Sequence, residues 1–315
     1  MEKPADNTAL LVEVARLYYD HDFSQQQIAE KVGLSRPVVS RLLTQARDQG
    51  IVRIEILDPA QGGIELETSL QDRYRLKKVI VVPSDGSEPN IVKERLGRAA
   101  AKYLDEIVED GLTLGISWGT TVREIARHVV PRPVRDMTVV QIVGGISRSD
   151  RDTHASESAL KIGEKYQAVP YLLPVPAIVD NPALKRSITS DKNISRVLEL
   201  GRQADIALFS VGVFSHQAIM VQAEYFEAAD VDMLLSKGVV GDVCSRLINA
   251  SGEICSRELD ERTIGLELQE LRKKSLAIAV AGGEEKIDTV RAALKGAYFN
   301  VLITDESVAN ALLAA

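Results

Sequence analysis

Apolar residues recur along this chain in two rhythms, and the change of rhythm divides it. Over residues 8–20, Leu10, Leu11, Val14, Leu17 and Tyr18 fall at three- and four-residue intervals, the spacing of one helix face. A second helix is predicted to start after Ser24, because Ser24 with Gln27 three residues on makes a capping box. Gly33 ends it, since glycine takes the left-handed backbone that closes a helix. Ser35 is placed to cap a third helix, with Pro37 tolerated in its first turn. Val39 and Leu42 pack this helix back on the second, where Ala29 is small enough for a close crossing. These are the requirements of a helix-turn-helix. Gly50-Ile51-Val52-Arg53-Ile54-Glu55-Ile56-Leu57 then alternates apolar and charged residues, which predicts a strand forming a wing.

From residue 76 the rhythm becomes short apolar runs separated by helical segments. Strands are predicted at 79–82, 112–117, 138–143, 206–211, 276–281 and 301–304. Helices are predicted at 90–109, 121–129, 155–166, 190–204, 284–294 and 307–313. Alternating βα units imply a parallel sheet covered on both faces, with ligands at the carboxyl ends of its strands. Between the two parts, Asp58-Pro59-Ala60-Gln61-Gly62-Gly63 is turn chemistry, and Ile64, Leu66, Leu70 and Tyr74 suggest a short linking helix. The expected fold is α/β. A winged helix-turn-helix occupies 1–57, a linking helix 58–75, and a Rossmann-like domain 76–315.

Composition agrees with this division. The 315 residues suit two unequal domains, and an apolar fraction of 45% supports a substantial core. Aromatics are only 4%, so Ala, Val, Ile and Leu carry the core, as in buried parallel strands. The net charge of −7 argues against a chain coated by nucleic acid along its length. Yet between Lys31 and Arg53 the charges are Lys31, Arg36, Arg41, Arg47 and Arg53 against Asp48 alone, a local +4. Arg36, Ser40, Arg41, Thr44, Gln45 and Arg47 lie outside the apolar face of the third helix, where such side chains bond phosphates and base edges. Arg36 and Ser40 are expected nearest the bases, Arg41 and Arg47 at phosphate. Gln25 and Ser35, at the two helix starts, complete the candidate DNA-binding set.

Other chemistries find little support. Cys244 and Cys255 make neither a disulfide framework nor a CxxC pair, and a reducing cytoplasm is the expected home. The four histidines lie far apart without metal-ligand spacing, so neither metal nor cofactor is expected. There is no apolar run long enough for a membrane span and no secretory signal pattern at the start.

Two predicted strand-to-helix junctions carry candidate chemistry. In Gly115-Ile116-Ser117-Trp118-Gly119-Thr120-Thr121 a strand ends, glycine allows close approach, and hydroxyls meet the amides of a helix N-terminus, an anion site suited to phosphate. In Val280-Ala281-Gly282-Gly283-Glu284-Glu285-Lys286 a lysine falls in or near a first helical turn, where the dipole disfavours a cation. A bound anion would justify it; a solvated lysine reads as well from these residues alone. Gly144-Gly145 follows another strand, and Asp242 after Gly241 either accepts bonds from sugar hydroxyls or fixes a turn. The stretch Gly115-Ile116-Ser117-Trp118-Gly119 also matches a nucleophile elbow, with Asp205 and His216 in the right chain order for a triad. No oxyanion loop accompanies it, and phosphate binding accounts better for Thr120 and Thr121.

These residues, together with Ala15-Arg16-Leu17-Tyr18-Tyr19, Ser24-Gln25-Gln26-Gln27-Ile28-Ala29, Ala204-Asp205-Ile206-Ala207-Leu208-Phe209, Gly241-Asp242-Val243-Cys244-Ser245-Arg246 and Arg262-Thr263-Ile264-Gly265, resemble the SorC family of bacterial sugar-responsive regulators along essentially the whole chain. The resemblance implies a sugar-isomerase-like effector domain used for sensing, a phosphorylated sugar effector, dimers or tetramers, and release of palindromic operator DNA on binding. It implies that Gly119, Thr120, Thr121 and Lys286 hold phosphate, that Asp242 meets sugar hydroxyls, and that Gly144 and Gly145 shape the pocket; Gly283 completes the candidate effector-binding set. The deoxyribose-phosphate-responsive branch can carry a lysine just before this glycine pair, able to form an imine. Here that position is Val143, so an effector binds without an imine at this point, or is a different sugar. A repressor is the expected function. The alternatives are an activator answering an unphosphorylated sugar, and a sugar-phosphate enzyme or serine hydrolase with an appended DNA-binding domain.

Overall fold

The computed structural model describes residues 8–49, 51–52, 59–84, 88–145, 154–222 and 225–314. It divides into two compact units, Met1–Asp58 and Pro59–Ala315.

The smaller unit is built from α1 (Thr8–Tyr19), α2 (Gln25–Val32) and α3 (Arg36–Asp48). Both halves of the capping box form. Ser24 N donates to Gln27 Oε1 at 2.9 Å, and Gln27 N donates to Ser24 Oγ at 3.4 Å. Gly33 closes α2 with φ 69°, ψ 31°. Ser35 has the extended backbone of a cap residue, but its hydroxyl makes no cap bond. That departs from the expected capping; Ser35 O instead accepts from Val38 N and Val39 N, and Pro37 stands in the first turn. Leu11 and Val14 of α1, Ile28 and Ala29 of α2, and Val39, Leu42, Leu43 and Ala46 of α3 share one buried core. Ile51 and Val52 bend back to donate to Ala46 O. The rest of the expected wing lies outside the described residues.

The larger unit opens with α4 (Pro59–Tyr74), β1 (Lys78–Val82), α5 (Pro89–Ile107), β2 (Thr113–Ile116), α6 (Thr120–His128) and β3 (Thr138–Gln141). It continues through α7 (Ala155–Tyr166), β4 (Val169–Tyr171), α8 (Pro182–Thr189), α9 (Lys192–Gln203), β5 (Ile206–Phe209) and β6 (Val211–Val213). Next come α10 (Ile219–Gln222), α11 (Ala228–Ser236), β7 (Val239–Val243), β8 (Arg246–Asn249), α12 (Arg257–Arg262) and α13 (Leu268–Leu271). It ends with β9 (Leu276–Val280), a 3-10 turn (Glu284–Lys286), α14 (Ile287–Lys295), β10 (Val301–Asp305) and α15 (Glu306–Leu313).

Seven strands form a parallel sheet in the order β1-β10-β9-β5-β2-β3-β4. Its strands are apolar on both faces. In β5, Ile206 and Leu208 join the core under α5, α6 and α7, while Ala207 and Phe209 join the core on the other side. The run 206–211 is not one strand. It breaks at Ser210, and β6 leaves the main sheet for a small antiparallel one, β6-β7-β8. β4 and α8 are also additional to the sequence expectation. Pro170 disguises the first, which is tolerated because β4 is an edge strand. Asn181 caps the second by accepting from Leu184 N at 2.9 Å.

Of the segment expected to link the two parts, Pro59–Tyr74 folds as α4 along the other edge. Gln71 Oε1 accepts from Val79 N at 3.0 Å, and Glu67 Oε1 accepts from Val81 N at 2.9 Å. Two amides that an edge strand would leave open are thus satisfied by one helix. Among the described residues, no helix is long and apolar enough to cross a membrane, and no His, Cys, Asp and Glu cluster is arranged to hold a metal.

Candidate functional sites

At the carboxyl ends of β1, β10, β9 and β2 the larger unit holds a cavity of about 800 Å³. One wall is the junction of β2 and α6. Gly119, the residue before α6, has φ 130°, ψ 166°, a conformation that a β-carbon would oppose. Thr120 and Thr121 begin the helix, so its unpaired amides open beside the cavity. The facing wall is the turn after β9. Gly283 has φ 99°, and its amide donates to Asp305 Oδ2 at 2.9 Å. Lys286 ends the 3-10 turn that follows, and its Nζ donates to Ser210 Oγ at 3.3 Å.

The third wall is the β7–β8 hairpin. Val243 pairs with Arg246, leaving a two-residue turn in which Cys244 and Ser245 have φ 51° and 65°. Two consecutive left-handed residues are the signature of a type I′ turn, which usually takes Asn-Gly. Asp242 holds it, accepting from Ser245 N on Oδ2 at 3.0 Å. The Ser245 hydroxyl is buried and has no partner among the described residues. Asp242 therefore fixes the turn and also lines the cavity.

The two charges are mutually adjusted. Burial lowers Lys286 to about 8; the Lys93 ammonium pushes the same way, against the Glu285 and Asp242 carboxylates. Burial raises Asp242 to about 6, opposed by the Ser245 amide and Lys286. Helix-terminal amides, a hydroxyl and two ammonium groups offer donors to an anion. Asp242 offers an acceptor to hydroxyl groups beside it.

Gly119, Thr120, Thr121, Asp242, Gly283 and Lys286 all line this one cavity. Gly144 and Gly145 do not. Gly144 lies against Pro176, where a β-carbon would stand 2.4 Å from its carbonyl oxygen, and Gly144 O accepts from Trp118 Nε1 at 3.0 Å. Among the described residues of that stretch, Val143 reaches the cavity. Lys93, Ser210, Gly212 and Asp305 line it too and were not anticipated. Lys93 sits within α5 among ordinary helical neighbours, and no local signal marks it.

The elbow reading fails on distance. Asp205 precedes β5 and accepts from Thr113 N at 2.8 Å, at the amino edge of the sheet, while Ser117 follows the carboxyl end of the adjacent β2. Four residues of strand separate those levels, about 13 Å. His216 pairs instead with Asp232 at 2.9 Å on the surface.

In the smaller unit, Arg36, Ser40, Thr44 and Arg47 recur along one exposed side of α3, opposite Val39, Leu42, Leu43 and Ala46. Arg41 is exposed beside them. Gln45 is half-buried at the border of the apolar face, and Gln25 is half-buried in the first turn of α2. Among the described residues the Arg36, Arg41 and Arg47 side chains have no ion-pair partner. They stand as donors on the exposed surface of α3, Arg36 and Arg47 on one side and Arg41 beside it.

Residues 58–314 match the sequence profile of the sugar-binding domain family, and residues 9–61 that of the Crp-like helix-turn-helix domain. The deoxyribonucleoside regulator of Bacillus subtilis is 43% identical over 304 residues, 96% of this chain and 97% of that protein. The sorbitol operon regulator of Klebsiella pneumoniae is 30% identical over 98% of this chain and 99% of its own. The crystal structure of the full-length sorbitol operon regulator SorC from the same organism aligns with TM-score 0.75 at 30% identity, covering 98% of this chain and 99% of that one.

Proposed function

This chain belongs to the SorC family of transcriptional regulators, and from that premise we propose that it is a repressor released from its operator when a phosphorylated sugar fills the cavity of its larger unit. The chain is a transcriptional regulator with a helix-turn-helix and a sugar-binding domain, and not an enzyme.

The observation that carries the phosphate reading is the setting of Lys286. Its ammonium, desolvated and bonded to the Ser210 hydroxyl, shares the cavity lining with a second cation, Lys93, and with the first turn of α6. Two cations in one cavity favour a bound anion, since the neighbouring Glu285 and Asp242 carboxylates leave the Lys286 ammonium still disfavoured by burial. A phosphate ester bridging the Gly119–Thr121 amides and Lys286 supplies that anion. The sugar hydroxyls then fall to Asp242 and Ser245. Val143 is apolar, so no imine forms there. The relatives named for deoxyribonucleosides and sorbitol favour a pentose or hexose skeleton.

On the DNA side, Arg36 and Ser40 read base edges while Arg41 and Arg47 hold phosphate, with Gln25, Ser35 and Gln45 in support. A homo-oligomer reads a palindromic operator, one half-site per helix-turn-helix. The effector acts by binding the DNA-free arrangement more tightly than the DNA-bound one.

The test is calorimetric titration of the full chain with pentose and hexose phosphates and with the parent sugars. Tight binding of one phosphate ester, lost in Lys286→Ala, is the expected result. Binding of the parent sugars alone, or of nothing in the panel, overturns the phosphosugar assignment.

A further inference from the structure

The cavity is mechanically tied to α4, the helix with which the larger unit begins where the chain arrives from the DNA-binding unit. The tie runs through Asp305. This side chain is 1% exposed, ends β10, and uses both carboxylate oxygens. Oδ2 accepts from Gly283 N in the cavity wall at 2.9 Å; Oδ1 accepts from Val308 N at 2.9 Å, which makes Asp305 the N-cap of α15. At its far end α15 is clasped by α4. Tyr74 OH donates to Leu312 O at 2.8 Å and Arg73 Nη1 donates to Leu313 O at 2.5 Å. The α4 side chains Glu67 and Gln71 in turn hold β1.

We infer that Asp305 is a positioning residue that couples occupancy of the Gly283–Lys286 wall to the seating of α4. The inference rests on the proposed anion site in that wall. An anion drawn to the turn must shift or stiffen the peptide at Gly283, and that peptide is bonded to Asp305. The carboxylate is the cap of α15, an eight-residue helix about 12 Å long, short enough for a shift at its first turn to reach its last. Displacing its first turn displaces Leu312 and Leu313, the acceptors of Tyr74 and Arg73. Asparagine cannot substitute, because it has one acceptor oxygen for two N–H donors.

Hydrogen–deuterium exchange of the full chain, with and without saturating inorganic phosphate, tests this. In the wild type, phosphate should slow exchange at 282–286, at 306–313 and at 66–74. The double variant Arg73→Met, Tyr74→Phe, which removes both clasp bonds, should keep wild-type phosphate affinity and the slowing at 282–286 and 306–313, but lose it at 66–74. Asp305→Asn should bind phosphate several-fold more weakly and lose the response of α15. Slowing at 282–286 with α15 and α4 unmoved in the wild type, or a double variant lacking both clasp bonds whose α4 responds normally, overturns the inference alone. No slowing at 282–286 overturns the anion site and the inference with it.

Discussion

Gly212 stands directly across the β6–β7 ladder from Asp242, so close that a β-carbon at 212 would lie 2.0 Å from Asp242 Oδ1. The carboxylate cannot simply swing aside, because Oδ2 is held by Ser245 N. Gly212→Ala should therefore turn Asp242 out of its cavity position while leaving the main sheet intact. We expect at least about a tenfold loss of effector affinity, the equivalent of one lost hydrogen bond to a charged group. Unchanged affinity by calorimetry would remove Asp242 from the effector contacts.

The lowered Lys286 predicts how ligand affinity varies with pH. Unliganded, it loses its proton around pH 8, whereas an anion bound beside it restores the proton. Affinity for a phosphate ester should fall by up to about tenfold per pH unit as pH rises above 8. Lys286→Arg should flatten that slope, since guanidinium stays charged.

The same shift has the opposite sign for folding. Between about 8 and the ordinary lysine value of 10.5, the unfolded chain binds the extra proton, so Lys286 makes the unliganded fold more stable as pH rises through that window. Denaturation of wild type and Lys286→Met at pH 8 and 10 should show the difference between them changing in that direction. A constant difference would contradict the buried setting.

On α3 the exposed arginines should separate by role. Arg36→Ala should cost about 1–3 kcal/mol and relax base preference at one position of each half-site. Arg41→Ala and Arg47→Ala should weaken all DNA sequences alike and each reduce the salt slope by about 1. Binding to a set of operator variants at several salt concentrations distinguishes the two patterns.

Gly33→Ala isolates backbone conformation. Nothing lies within 4 Å of a β-carbon there, yet φ is 69°. The substitution should destabilise the smaller unit by about 1 kcal/mol through left-handed strain alone. Equal stability of the variant in chemical denaturation would contradict the tight turn between α2 and α3.

The capping box at Ser24 and Gln27, the left-handed Gly33 and the amphipathic third helix were legible in the sequence because each depends on bonds and contacts within a few residues. So were the apolar cores of β2, β5, β9 and β10, because strands buried on both faces need no partner to reveal them. The glycine-rich junctions at Gly119 and Gly283 were legible as turns for the same local reason. Tertiary structure alone decided which of them face each other. Asp242 and Lys286 line one cavity because β6 departs from the main sheet at Ser210 and pairs with β7, a change of partner that the apolar run 206–211 does not encode. Lys93 enters the cavity from α5 with no local mark, and Gly144 is withdrawn from it by close packing on Pro176. Local sequence determines what a segment is, through short-range bonds. What lies opposite it is set by burial of the whole sheet, a sum over distant residues that no single stretch of chain contains.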